Sequence, residues 1–206
     1  VQAATIFAPD VLIDAETLID ELRHLFSIEV LDATVLDDHD PSSHEVWLPD
    51  ARGRIQWRFW NRYMTYLERD FGMSPDVVNN LHALTDMVLE RLEQPLRDGR
   101  WDRRGMVVGS VQSGKTANYV GLINKAVDAG YKLVIVLAGI HSNLRAQTQL
   151  RIDEGVLGFD TQKSRKLNTD SQWVGVGKLP GDRLVIHSLT SSDEQGDFSK
   201  PIAEKI

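Results

Sequence analysis

Gly109-Ser110-Val111-Gln112-Ser113-Gly114-Lys115-Thr116 is the stretch on which the fold and chemistry of this chain turn. It satisfies the pattern G-x-x-x-x-G-K-[ST], which arises by chance in a chain of this length with a probability on the order of one per cent. Glycines at its two ends let the backbone curl so that successive amide N–H groups point inward. Such a nest, at the N-terminus of a following helix, holds phosphate oxygens with partial positive charge. Lys115 would reach the β- and γ-phosphates as a point charge and is the catalytic candidate, while the Thr116 hydroxyl is a ligand for Mg²⁺. The whole loop, Gly109, Ser110, Val111, Gln112, Ser113, Gly114, Lys115 and Thr116, is the expected binding site for ATP with Mg²⁺. Adenine is the default base, and no pocket for it is legible.

Working outward, Gly105 to Gly109 is a short apolar run ending in glycine and predicts a buried strand. A helix is expected from Lys115 to Ala129, ended by Gly130. Lys132-Leu133-Val134-Ile135-Val136-Leu137-Ala138 predicts a second buried strand of the parallel-sheet type. His141 to Glu154 predicts another helix, residues 155–182 a long loop with a short strand near Trp173 to Val176, and Arg183 to Leu189 a third strand. Strands alternating with helices imply an α/β unit with right-handed crossovers. Upstream the pattern is helical. Asp14 to Phe26 carries one apolar face, residues 37–44 form an acidic Pro- and Ser-containing loop, and Trp57 to Phe71 has Trp57, Trp60, Tyr63, Met64 and Leu67 on one side. That aromatic side reads as a helix face packed on a core rather than a nucleic-acid platform. Ser74-Pro75 reads as an N-cap with proline at N1 of a helix reaching about Leu92, closed by Gln94-Pro95. The expected fold class is therefore α/β. Residues 1–98 would form a helical N-terminal domain, and residues 99–206 the first part of a RecA-like P-loop domain with a parallel sheet.

Composition bounds the rest. The chain has 206 residues, 42% apolar and 26% charged, the balance of a globular protein. Its net charge is 23 − 30 = −7, which argues against a protein that coats nucleic acid non-specifically but leaves room for a local basic groove. With no cysteine, disulfides and thiolate metal sites are ruled out and a reducing cytoplasm is the default compartment. No stretch approaches the roughly 20 apolar residues that cross a bilayer, and no signal peptide is legible, so no membrane association is expected. The chain opens at Val1 without an initiator Met and stops at Ile206 in a charged, helix-like stretch, the pattern expected of a piece of a larger protein.

Several further motifs are weaker. Asn124-Lys125-Ala126-Val127-Asp128 has a superficial likeness to the guanine-reading N-K-x-D, but is one residue too long and lies on the helix after the phosphate loop, so a solvated helix face is expected. Trp101 is either a stacking platform or, preferably, a core or interface tryptophan. Hydrolysis needs an acidic residue after a later strand. Asp193 and Glu194 follow Ser191-Ser192 instead, and Asp37-Asp38 precedes the loop, so this chain is expected to bind ATP without the hydrolytic acid. No lysine has Asp or Glu two positions before it, so a PD-(D/E)xK nuclease finds no support in these residues. His39 and His44, with four residues between them and aspartates nearby, form a metal candidate against which a solvated loop is favoured.

The stretches Gly105-to-Tyr119, Gly121-to-Ala126, Asp128-to-Lys132 and Ala138-to-Gln149 closely resemble the Z-one domain family, covering about a quarter of the chain densely. Val111-Gln112-Ser113-Gly114-Lys115-Thr116-Ala117-Asn118-Tyr119 with Leu144-Arg145-x-Gln147-Thr148 is the specific part. The resemblance implies bacterial proteins described as endonucleases with a superfamily-two helicase-like ATPase core. Some belong to restriction-like phage defence systems beside MutL- or MORC-like ATPase and nuclease partners. It also implies DNA as a partner, with the helix after the second strand touching its backbone. Asn143, Arg145 and Arg151 are then the candidate nucleic-acid contacts, with Leu144, Gln147, Thr148 and Arg151 on one helix face and Arg145 off it. A solvent-facing polar flank is the alternative. The function so implied is the ATP-binding portion of a helicase-like, DNA-directed ATPase. Alternatives are a nucleotide-dependent assembly module that recruits a nuclease without translocating and, more weakly, a small-molecule P-loop kinase.

Overall fold

The one-sided aromatic spacing after Trp57 makes a helix whose apolar face builds the core of the protein. The computed structural model describes residues 44–108, 114–139, 141–164, 173–181, 183–184, 186–193, 198 and 200–204. In chain order its helices are α1 (Leu48–Ala51), α2 (Arg58–Arg69), α3 (Pro75–Arg91), α4 (Lys115–Ala129), α5 (Ser142–Ile152), α6 (Thr161–Ser164) and α7 (Lys200–Ala203). Helix α5 runs on into a π-helical turn over Asp153–Leu157, and a 3₁₀ turn covers Gly175–Lys178. The expected helix Asp14 to Phe26 and residues 37–43 of the expected loop lie outside the described residues.

Helix α4 is the central element, with α2, α3 and the π-helical turn packed against it. Trp60, Tyr63 and Leu67 of α2 meet Val78 and Leu81 of α3, Val120 of α4, and Val156 and Val176. Each buried aliphatic side chain of that set contributes roughly 1.5–3 kcal/mol. A second cluster joins Trp47, Leu48 and Ala51 to Leu89 and Ala126. Residues on both sides of position 98 thus share each cluster. Ser74 caps α3 as expected, its hydroxyl accepting from the Val77 amide at 3.4 Å, with Pro75 at N1. Gly121 allows the close approach of α4, because a Cβ there would stand 3.0 Å from the Trp60 ring.

The parallel sheet expected after residue 99 is absent among the described residues, and the RecA-like α/β class is corrected to a helical one. The β feature that they hold is an isolated antiparallel bridge between Phe159 and Trp173. Gly105–Val108 and Lys132–Ala138 carry no regular structure, nor do the described residues of Arg183 to Leu189. The large apolar side chains of the first two are exposed, Met106 at 86% and Leu137 at 91%, while Leu184, Ile186 and Leu189 of the third are half-buried. The physical reason lies in how the two kinds of element are completed. An apolar run specifies a preference for burial, whereas a strand also needs neighbouring backbone in register to take its N–H and C=O groups. No described segment supplies that ladder. A helix closes its own hydrogen bonds within four residues, so the expected helix Lys115–Ala129 is met to the residue, and those after Trp57, Ser74 and His141 form with ends shifted by one or two residues.

Candidate functional site

The C-terminal end of the phosphate-loop motif is a left-handed turn feeding a helix. Gly114 has φ +72°, a conformation that glycine adopts without steric penalty, and it stands at the N-cap of α4. The first helical hydrogen bond, from the Asn118 amide to the Gly114 carbonyl, measures 3.0 Å. Lys115 and Thr116 occupy the first turn, and both are exposed. Four backbone N–H groups of that turn have no helical acceptor, and the macrodipole adds roughly half a positive charge there, a setting suited to an anion. Gly109, Ser110, Val111, Gln112 and Ser113 lie outside the described residues. The Thr116 side chain is hydrogen-bonded to the Tyr119 phenol, whose pKa is raised by burial despite that bond and the nearby Arg151 charge.

The far half of α4 is anchored by the residues that superficially resemble a base-reading motif. They are not the solvated face expected from sequence. Asn124 is buried and donates from one amide nitrogen to the carbonyls of Val120 at 2.9 Å and Gly155 at 3.0 Å. Lys125, with no exposed side-chain surface, donates to Asp86 at 2.6 Å and to the His82 carbonyl at 2.7 Å, and its ammonium lies 4.3 Å from the Trp60 ring centroid. Burial pushes its pKa down to about 8, against the pull of Asp86. Asp128 accepts from the amides of Phe59 at 3.0 Å and Trp60 at 2.8 Å, and so caps α2 from another helix. Trp57, at the N-cap of α2, makes no side-chain cap bond of its own. These three residues fix the axis of the helix whose N-terminus carries Lys115 and Thr116.

The three nucleic-acid candidates on α5 are placed differently from one another. Asn143 is exposed in the first turn. Arg145 donates to the main-chain carbonyls of Ser191, at 3.0 Å, and Asp193, holding that segment against the helix. Arg151 is exposed and pairs with Glu154 at 3.1 Å. Between them the buried Gln149 donates to Asp153 at 2.8 Å and accepts from Thr190 at 2.6 Å. Asp153 also accepts from the Thr161 amide and hydroxyl. The segment Thr190 to Asp193 is thus tied to α5 by polar contacts, and Asp193 takes part through its backbone carbonyl.

Elsewhere, Trp101 is partly exposed and meets Tyr131 edge-on at 6.4 Å. His44 is not in a solvated loop: it bonds the buried Glu93 at 2.9 Å, which Arg97 also holds. Among the described residues no group of three or more His, Cys, Asp or Glu side chains is arranged to hold a metal ion, and no helix is long and apolar enough to cross a membrane. Sequence reading missed an arginine-rich cavity beside α2, lined by Arg58, Arg62 and Arg69 together with Trp173 and Arg183. The arginine spacing on α2 was available as a signal, but the distant residues that close the cavity were not. No family model, curated protein or solved structure matches this chain.

Proposed function

We propose that this chain binds Mg²⁺·ATP at the Gly109-to-Thr116 loop and serves as the nucleotide-binding portion of a DNA-directed ATPase. The observation that carries the reading is the left-handed Gly114 handing the chain directly to α4 at Lys115 and Thr116. The residues present suit the group: an exposed helix N-terminus offers amide donors, Lys115 a cation, and Thr116 a hydroxyl. The amides and Lys115 would hold phosphate oxygens, and Thr116, exchanging its bond to Tyr119, would ligate Mg²⁺. Bound Mg²⁺ supplies charge neutralisation across the β- and γ-phosphates. The DNA-directed part is supported by the resemblance of the Val111-to-Tyr119 and Leu144-to-Thr148 text to the Z-one domain family, and Asn143 and Arg151 are its exposed candidates for backbone contact.

A fluorescent ATP analogue titrated with Mg²⁺ tests binding. Lys115→Ala should weaken it by about 10- to 100-fold, the loss of one charge-assisted contact of roughly 1.5–3 kcal/mol, with an unchanged thermal midpoint. Equal affinity of the variant and the parent would refute the site. DNA stimulation of ATP turnover in the full-length protein then separates the DNA-directed reading from the assembly module. Intact binding with no stimulation would favour the latter.

A further inference from the structure

The face of α2 opposite its core residues carries Arg58, Asn61, Arg62, Thr65 and Arg69, spaced i, i+3, i+4, i+7 and i+11. That row lines a cavity of about 350 Å³ whose remaining described walls come from residues 173, 176–177, 179–181 and 183–184. Four arginines face it, counting Arg183, and among the described residues no Asp or Glu lines it. Glu68 and Asp70, the carboxylates flanking Arg69 in sequence, are not part of the lining. In a chain with 30 acidic and 23 basic residues, such a concentration of one sign marks a place built for an anion.

Arg62 is held in the wall. Its guanidinium lies over the Phe59 ring at 5.1 Å and donates to the Val156 carbonyl, while its Nε is buried with no hydrogen-bond partner. A buried N–H of that kind calls for an acceptor, a role that an oxygen of an anionic ligand would fill. Burial lowers the Arg62 pKa to about 10, opposed by the Asp128 charge, so the group stays cationic at neutral pH. On the other side, the exposed Arg183 places its guanidinium over the Trp173 indole, 4.1 Å from the ring centroid. A planar cation backed by an indole is a surface on which a nucleobase stacks.

Size selects the ligand. From Arg58 to Arg69 the helix rises about 16 Å, too far for one phosphate to meet every arginine and well matched to successive phosphates of a strand. The cavity volume is at the lower end of what takes one small organic ligand, which suits a single unpaired base and excludes a stacked duplex. We propose that this cleft binds single-stranded nucleic acid, with backbone phosphates along Arg58, Arg62 and Arg69 and a base on the Arg183–Trp173 stack. The cleft and the phosphate loop are different sites, and neither proposal depends on the other.

The test is fluorescence anisotropy of a labelled twelve-nucleotide thymidine strand with the full chain, across a salt series. Three neutralised phosphates give a slope of log affinity against log salt of about −2. Arg69→Gln and Arg183→Gln, both at exposed positions, should each weaken binding about tenfold with unchanged thermal midpoints; Arg69→Gln should also flatten the slope by about 0.7, whereas Arg183→Gln, which removes a stacking surface, should leave it as it was. Lys132→Gln, an exposed position outside the cleft, should leave both quantities as they were, and Lys115→Ala should bind the strand like the parent. Unchanged affinity and slope in Arg69→Gln, with unchanged affinity in Arg183→Gln, would overturn the proposal. So would a duplex of the same length binding as tightly as the strand, or adenosine monophosphate displacing the strand at equal concentration.

Discussion

Replacing Lys125 by methionine isolates the residue that most clearly separates a structural from a base-reading role in α4. Methionine keeps the length of the side chain and removes the charge and three donors. The change leaves Asp86 with Arg52, at 2.6 Å, as its remaining close cationic partner, and takes away the donor that meets the His82 carbonyl. Removing one member of a buried pair costs roughly 3–5 kcal/mol. Because Asp86 keeps Arg52 and some solvent contact, we expect the lower end, about 3 kcal/mol. For a chain of this size that is a fall in thermal midpoint of about 6–12 °C, read by circular dichroism. Asp86→Asn in the same background should restore part of the loss, giving a coupling energy above about 1 kcal/mol in the double-mutant cycle. The pH dependence has a definite sign. The folded pKa of Lys125, about 8, lies below its ordinary value of 10.5, so between those values the unfolded state binds more protons. Stability from this group therefore rises with pH across that window in the parent, and the rise is missing in Lys125→Met. ATP affinity should be unchanged. A loss of stability under 1 kcal/mol, strict additivity with Asp86→Asn, or a parallel loss of nucleotide binding would refute the assignment.

Three further outcomes follow from the contacts. Arg145→Gln should increase protease cleavage and amide exchange around Ser191 to Asp193 while leaving nucleic-acid affinity unchanged; reduced affinity with an equally protected segment would contradict the clamp. Gly177→Ala should destabilise by at least about 3 kcal/mol in urea titration, because its Cβ would stand 1.8 Å from the Gly158 carbonyl oxygen, and backbone on both sides leaves little to yield. Gly53→Ala, with open space, should stay within about 0.5 kcal/mol of the parent. Burial pushes the Glu93 carboxyl up, but hydrogen bonds from His44 and Arg97 outweigh it and hold the pKa below 4.5. Its contribution is present above that value and lost as pH falls through the folded pKa, so Glu93→Gln should flatten the acid limb of a stability-versus-pH curve.

The sequence by itself determined the local elements and the chemistry of one loop. Periodicity over three or four residues is enough to fix α2, α3 and α4, since each helix satisfies its backbone internally and each cap is read within a turn, as at Ser74 and Gly114. The identity of Lys115 and Thr116 as phosphate and Mg²⁺ candidates is equally local. Only the tertiary structure decided what the long-range partners are. The apolar runs at residues 106–108 and 133–137 predicted strands, yet a strand is completed by another segment, and the described residues supply none. Asn124, Lys125 and Asp128 looked like surface because their polarity was visible and their partners, Gly155, Asp86 and the start of α2, were not. The arginine cleft shows the same division. Its α2 row can be read from spacing, whereas Trp173 and Arg183 join it across more than a hundred residues of chain, through packing that no local pattern encodes.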